Sequence, residues 1–196
     1  LSYIIGNPPF IGSNIMKKEQ RNQIAKIFEN KSGGGTLDYV VGWYILASKF
    51  ILNTNIKVAF VSTNSIVQGE QTSLLWGLLQ EKYGVIIHFA HRTFDWSNEA
   101  KGNAGVHCVI IGFANFNTSK KIIFDYEDIK GDAQIIEVNN INAYLVDSEN
   151  VLIQKNRKPI CNVPNILKGN YYAKSKGLIV EEKDLPFLLE NEPRAK

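Results

Sequence analysis

Short apolar runs at residues 2–6, 57–63, 85–90 and 105–114 alternate with stretches whose apolar residues recur every three or four positions. The runs predict strands, and the recurrences predict helices over 17–28, 37–52 and 71–82. In the strongest helix Val40, Val41, Tyr44, Ile45, Ser48 and Ile51 share one face, and Asp38 stands near its N-terminus, where the helix dipole favours an anion. Over 71–82 the core face is Leu74, Leu75, Leu78 and Leu79, whereas 17–28 is polar and predicted to be exposed. Strand, helix, strand, helix, strand with short links predicts right-handed crossovers and a mostly parallel sheet, an α/β fold. The runs at 85–90 and 105–114 have no helix between them and are predicted to pair as an antiparallel hairpin. From about Thr118 the pattern changes: 121–126 and 133–138 look like strands, and then Pro159, Pro164, Gly169 and Gly177 punctuate a polar stretch that predicts irregular structure.

With 196 residues, 44% hydrophobic and 21% charged, the chain can bury one substantial core and part of a second. No apolar run reaches membrane-spanning length, the longest helical candidate is interrupted by Lys49, and the start has no signal-peptide pattern. Cys108 and Cys161 make no disulfide framework and are expected to be reduced packing residues of a cytoplasmic protein. A net charge of +3 permits a nucleic-acid partner without requiring one. The chain opens at Leu1 and enters its first strand with no capping element, which reads as a piece of a longer polypeptide. The strand edge left bare is predicted to pair with a second copy or with the chain's own tail.

Asn7, Pro8, Pro9 and Phe10 follow the first strand directly. In open α/β sheets the carboxyl ends of strands are where ligands bind. An Asn-Pro-Pro-aromatic string arises by chance about 0.001 times in a chain of this size, so coincidence is a weak rival. The Asn side-chain oxygen and the Pro8 carbonyl can each accept a hydrogen bond from the exocyclic amine of a base, localising a lone pair that is otherwise delocalised into the ring. The prolines donate nothing and stiffen the loop, and Phe10 offers a flat apolar face. The bland alternative is a strand-ending proline turn with Phe10 tucked into the core.

Other constellations are weaker. His88, His91, His107 and Cys108 suggest a metal, but residues three apart on a strand point to opposite faces, so no metal site is assigned. Lys17, Lys18 and Arg21, Arg92, and Lys155, Arg157 and Lys158 are candidate phosphate contacts. Asp38 as a helix-start anion and Gln68–Gln71 as a strand-end turn have adequate structural explanations.

Several stretches together resemble the adenine-N6 DNA methyltransferase part of the MmeI-like (type IIL, within type IIG) restriction and modification enzymes: GNPPFIGS from Gly6, Gln20 with Arg21, LDYVVGWYILAS from Leu37, VAFVSTNSIVQGEQ from Val58, and HFAHRTFDWSNEAKGNAGVHCVIIGF from His88. The resemblance is strong over about 1–115, and from Lys158 the chain looks like the opening of that family's target recognition domain. It implies the C-terminal half of a Rossmann-like class I methyltransferase sheet over 1–117, mostly parallel with an antiparallel last strand. A connecting segment over 118–157 and the start of a target recognition domain over 158–196 follow.

The implied activity is transfer of a methyl group from S-adenosylmethionine to N6 of an adenine flipped out of double-stranded DNA, in a polypeptide also carrying an endonuclease. By that resemblance Asn7 and Pro8 hold the amine, Asn7 also borders the donor, Pro9 rigidifies the loop and Phe10 stacks on the base. A second aromatic is expected from the loop joining the last two strands, here holding His91 to Trp96; Phe94 is the candidate and Trp96 the reserve, against packing on the core. The family's glycine-rich donor loop precedes its NPPF motif and has no counterpart here. Neither Ser32–Gly35 nor Gly102–Gly105 follows a strand and opens a helix, so the chain alone is expected to be inactive. Two other readings keep the same residues: a methyltransferase for a protein glutamine or RNA amine, and a non-catalytic DNA-recognition module.

Overall fold

Alternate residues of strand β2 (Lys57–Thr63) are buried, with Val58, Phe60 and Ser62 facing inward, as expected of a strand that packs one face against helices. The computed structural model describes residues 1–29, 31–96, 106–156, 159, 161–163 and 180–192. They divide into two units, Leu1–Lys155 and Asn156–Lys196.

In the first unit, β1 (Tyr3–Gly6) runs parallel to β2, with Ile4 opposite Val58 and Gly6 opposite Phe60. On its other side β2 pairs antiparallel with β4 (Val106–Ala114), and β4 pairs antiparallel with β3 (Ile86–Trp96). Beyond β3 lie β5 (Lys121–Asp125), parallel to it, and β6 (Gln134–Val138), antiparallel to β5. The order is β1-β2-β4-β3-β5-β6. β1, β2, β3 and β5 share one direction, and β4 and β6 oppose it. The mostly parallel sheet and the β3–β4 antiparallel pair are as the sequence predicts. β5 and β6 extend the sheet into the stretch assigned to a connecting segment.

Helices α1 (Lys18–Ile27), α2 (Val41–Phe50) and α3 (Gly69–Tyr83) form around the predicted periodicities. Aromatic packing joins α2 and α3 to one sheet face: the Tyr44 ring stacks on Phe113 at 5.5 Å and meets Phe60 and Trp76 edge-on. These rings bury the largest apolar areas in the core and each polar atom finds a partner. The Tyr44 hydroxyl bonds Ser62 Oγ at 2.8 Å, and Trp76 Nε1 donates to the Ile66 carbonyl at 3.0 Å. Burial pushes the Tyr44 phenol far above its ordinary pKa. α1 lies against α2, where a Cβ on Gly42 would come 3.0 Å from Ile24 Cδ1. α3 ends at Gly84, whose φ of 61° is the left-handed conformation that lets its N–H reach back to the Gln80 carbonyl.

β1 is an edge strand among the described residues, in keeping with the bare edge expected from the sequence, and Tyr3 and Ile5 are exposed. Two expectations need correction. His91 to Trp96 are not in a loop: β3 continues through them, past an irregularity between His91 and Phe94, because their pairing with β4 outlasts the apolar run. Cys161 is exposed rather than packed, since its neighbours Asn162 and Val163 are exposed as well.

In the second unit the described residues include one short helix, α4 (Leu185–Asn191), with Pro186 in its first turn and none of its residues buried. No helix among the described residues is long and apolar enough to cross a membrane.

Candidate acceptor site

Gly6 ends β1 against the Phe60 ring, where a Cβ would lie 3.3 Å from Phe60 Cε1. That close approach lets the chain leave the sheet at once into the Asn7–Phe10 loop. Along it Asn7 is exposed, Pro8 buried, Pro9 exposed and Phe10 half-buried. Among the described residues the Asn7 side chain has no hydrogen-bond partner, so its oxygen and amide are free for a ligand. The buried Pro8 ring fixes the loop from beneath, and a proline N carries no hydrogen to satisfy.

Anchorage resumes just after the prolines. The Tyr39 N–H donates to the Ile11 carbonyl at 2.9 Å, and the Ser13 N–H donates to Asp38 Oδ1 at 2.8 Å. Asp38 is itself buried. Its other oxygen accepts from Ser65 Oγ at 2.7 Å, and its N–H donates to Gln71 Oε1 at 2.8 Å. Ser65 has spent its one proton on Asp38, so in the 2.8 Å pair with Thr63 Oγ1 it is Thr63 that donates. The loops that follow the neighbouring parallel strands β1 and β2 are thus held together through one carboxylate. Sequence reasoning left Asp38 and Gln71 with purely structural roles; the 25-residue and 33-residue separations of these bonds leave no local signal.

Phe94 and Trp96 lie in the second half of β3, opposite Cys108 and Val106 of β4. Strand alternation puts them on the face away from the helices. Their rings sit 6.0 Å apart, and Phe94 also meets Tyr126 at 5.6 Å and His91 at 6.2 Å. The His91 ring stacks flat on Phe124 at 4.1 Å and its Nδ1 bonds the Tyr126 hydroxyl at 2.7 Å. Two strands separate β1 from β3, a span of about 14 Å at ordinary strand spacing. Phe94 and Trp96 therefore share the carboxyl edge of the sheet with Asn7 without being its immediate neighbours.

His88 Nε2 bonds the Phe116 carbonyl at 2.7 Å, and burial lowers the pKa of both His88 and His91. Cys108 is buried, its thiol pushed up to about 11 by desolvation and then by the Asp95 charge, so it is an inert thiol. No group of three His, Cys, Asp or Glu converges among the described residues.

Among the basic candidates, Arg21 donates to the Met16 and Asn14 carbonyls at 3.2 Å each, bracing the turn that leads from the loop into α1. Arg92 donates from Nε to the Leu145 carbonyl at 2.9 Å and pairs with Asp125 at 3.0 Å. It lines a cavity of about 380 Å³ with Gln68, Asp125, Tyr126 and Tyr144. Lys155 pairs with Glu70 at 2.6 Å, and Lys17 and Lys18 are exposed. Arg157, Lys158 and Gly102–Gly105 lie outside the described residues.

Residues 1–125 match the family described as MmeI, DNA-methyltransferase domain. The chain is similar to DNA methyltransferase A of Bacillus subtilis (strain 168), with 42% identity over 178 residues, 90% of this chain and 20% of that protein. It is also similar to the type IIL restriction-modification enzyme MmeI, solved in complex with DNA: 43% identity and a TM-score of 0.88 over 100% of this chain and 26% of that one. The chain thus spans between 20% and 26% of the length of these relatives.

Proposed function

The chain belongs to the MmeI DNA-methyltransferase family, and from that premise we propose that it forms the acceptor side of an adenine-N6 DNA methyltransferase of a restriction-modification system. The observation that carries this reading is the exposed Asn7, unpartnered among the described residues, on a loop fixed by the buried Pro8 at the carboxyl end of β1. In the proposed complex the Asn7 side-chain oxygen and the Pro8 carbonyl accept the two N–H bonds of the adenine amine, turning its nitrogen lone pair out of conjugation. Phe10 lies against one face of the flipped base, and Phe94, with Trp96 as the alternative, closes the other. Exposed Lys17 and Lys18, together with Arg21, Arg92, Lys155, Arg157 and Lys158, are proposed to meet the DNA backbone.

S-adenosylmethionine is the methyl source this reading implies. Among the described residues no glycine-rich turn links a strand to a helix in the way a nucleoside cradle requires, so they do not fit the donor by themselves, apart from Asn7 at its border. These residues hold the acceptor and are assigned no step on the donor.

The same reading makes 1–117 the second half of a catalytic domain, 118–157 its connection, and 158–196 the start of a target recognition domain, within a polypeptide that also carries an endonuclease. It works in the cytoplasm, beside the DNA, and the free edge of β1 is where a further strand, from the same polypeptide or a second copy, adds to the sheet. A protein or RNA acceptor and a purely recognition role are not favoured, because the relatives named for an activity are DNA methyltransferases.

The test is nucleoside mass spectrometry of duplex DNA after incubation with the full-length gene product and S-adenosylmethionine. N6-methyldeoxyadenosine is expected; methylcytosine, or methylation of a glutamine peptide or RNA in place of DNA, defeats the proposal.

A further inference from the structure

We propose that Asp38 is the positioning residue of the acceptor loop, the group that sets where Asn7 and Pro8 stand without touching the base itself. The inference rests on the methyl-transfer reading given above. Between β1 and α1 the chain crosses two prolines and an exposed asparagine, and among the described residues the hydrogen bonds that tie residues 7–13 to other elements end on consecutive residues, Asp38 and Tyr39. The first anchored N–H after the prolines belongs to Ser13, and its acceptor is Asp38 Oδ1.

Asp38 is not spent on the role its sequence position suggests. α2 starts at Val41 with Val40 as its cap residue, and the Asp38 carboxylate accepts from Ser13 and Ser65 instead of from the helix's free N–H groups. Its two oxygens point to two different loops: one takes the backbone of the loop after β1, the other the hydroxyl of Ser65 in the turn after β2. Gln71 of α3 fixes the Asp38 backbone from a third direction. Because the carboxylate is buried, these bonds are sheltered from competing water. Losing them frees Ser13, and with it the stiff segment leading back to Asn7, to shift by a fraction of an ångström to an ångström. A displacement of that size is what a positioned reaction tolerates worst.

The residue type matters as well. Asparagine at 38 keeps one oxygen for the Ser13 N–H and turns its NH2 toward Ser65 Oγ, whose lone pairs can accept it. Alanine keeps neither contact.

The experiment measures methyl transfer to unmethylated duplex DNA of mixed sequence by the full-length gene product, with active sites counted by a single-turnover burst. Asp38→Ala is expected to lower kcat by about 100-fold while KM for DNA stays within about threefold. Asp38→Asn is expected to keep kcat within about threefold of the wild type. A wild-type kcat in Asp38→Ala, a loss confined to KM, or an Asp38→Asn enzyme as impaired as Asp38→Ala overturns the proposal. Should Asp38→Ala fail to fold, Ser65→Ala removes one arm of the clamp and is expected to lower kcat about fivefold; an unchanged kcat there overturns it.

If the wild type methylates nothing, the methyl-transfer reading has failed, and amide exchange still decides the anchor. Exchange at the Ser13 N–H about tenfold faster in Asp38→Ala or Ser65→Ala than in the wild type supports the clamp, and equal rates refute it.

Discussion

The ring of Phe89 lies across Gly112 on the neighbouring strand, so close that a Cβ on Gly112 would stand 2.0 Å from Phe89 Cε1. The two are register partners between β3 and β4, on the sheet face away from the helices. A glycine inside a strand ordinarily weakens it; here the aromatic ring fills the space that a side chain would take. Gly112→Ala should therefore destabilise the chain by about 1–3 kcal/mol in urea denaturation, through overpacking of the ring. The double variant with Phe89→Leu should recover part of that loss.

Tyr44 and Ser62 share a hydrogen bond inside the aromatic cluster, and both are fully buried. Tyr44→Phe leaves Ser62 Oγ without this partner and should cost about 1–3 kcal/mol, whereas the pair Tyr44→Phe with Ser62→Ala should cost less than the single change. Thermal unfolding of the three variants checks the non-additivity.

Acid should loosen the β3 region. Burial depresses His88 and His91 below the ordinary 6.5, and for His88 the nearby Lys57 and Lys121 add to it. The folded state favours both rings neutral, so this stability is fully present above pH 6.5 and is lost as pH falls through the lowered folded values. Each histidine contributes a slope of at most about 1.4 kcal/mol per pH unit. His91→Phe should keep the stack on Phe124 yet flatten the acid side of the stability profile, as read from urea midpoints between pH 5 and 8.

How much of this was legible in the sequence follows from how local each signal is. The strand-then-NPPF arrangement, β2, the three helices and the antiparallel pairing of β3 with β4 are written in short windows, and the structure has them where the periodicity put them. The second half of β3 was not legible, because Arg92 and Asp95 interrupt the apolar run and the irregularity after His91 breaks the two-residue period. The exposed β6, with Ile135 and Glu137 open to solvent, was found by composition rather than burial. The clamp on Asp38 joins residues 25 and 27 positions apart, and nothing near Asp38 in the chain announces it.

Affinity for the methyl donor provides a further check. Among the described residues there is no glycine cradle, and the 196 residues alone should bind S-adenosylmethionine weakly, with a dissociation constant above about 100 µM by calorimetry. Low-micromolar binding would mean that these residues hold the donor in a way the fold does not suggest.

The most direct measurement of the central claim is the rate of methyl transfer to duplex DNA by the full-length gene product carrying Asn7→Ala, compared with the wild type under single-turnover conditions. Removing the acceptor on the amine should lower the rate by about 100- to 1,000-fold while leaving the protein folded, since the Asn7 side chain has no partner among the described residues. An Asn7→Ala enzyme that transfers methyl groups within about threefold of the wild-type rate would contradict the assignment of this loop as the acceptor site.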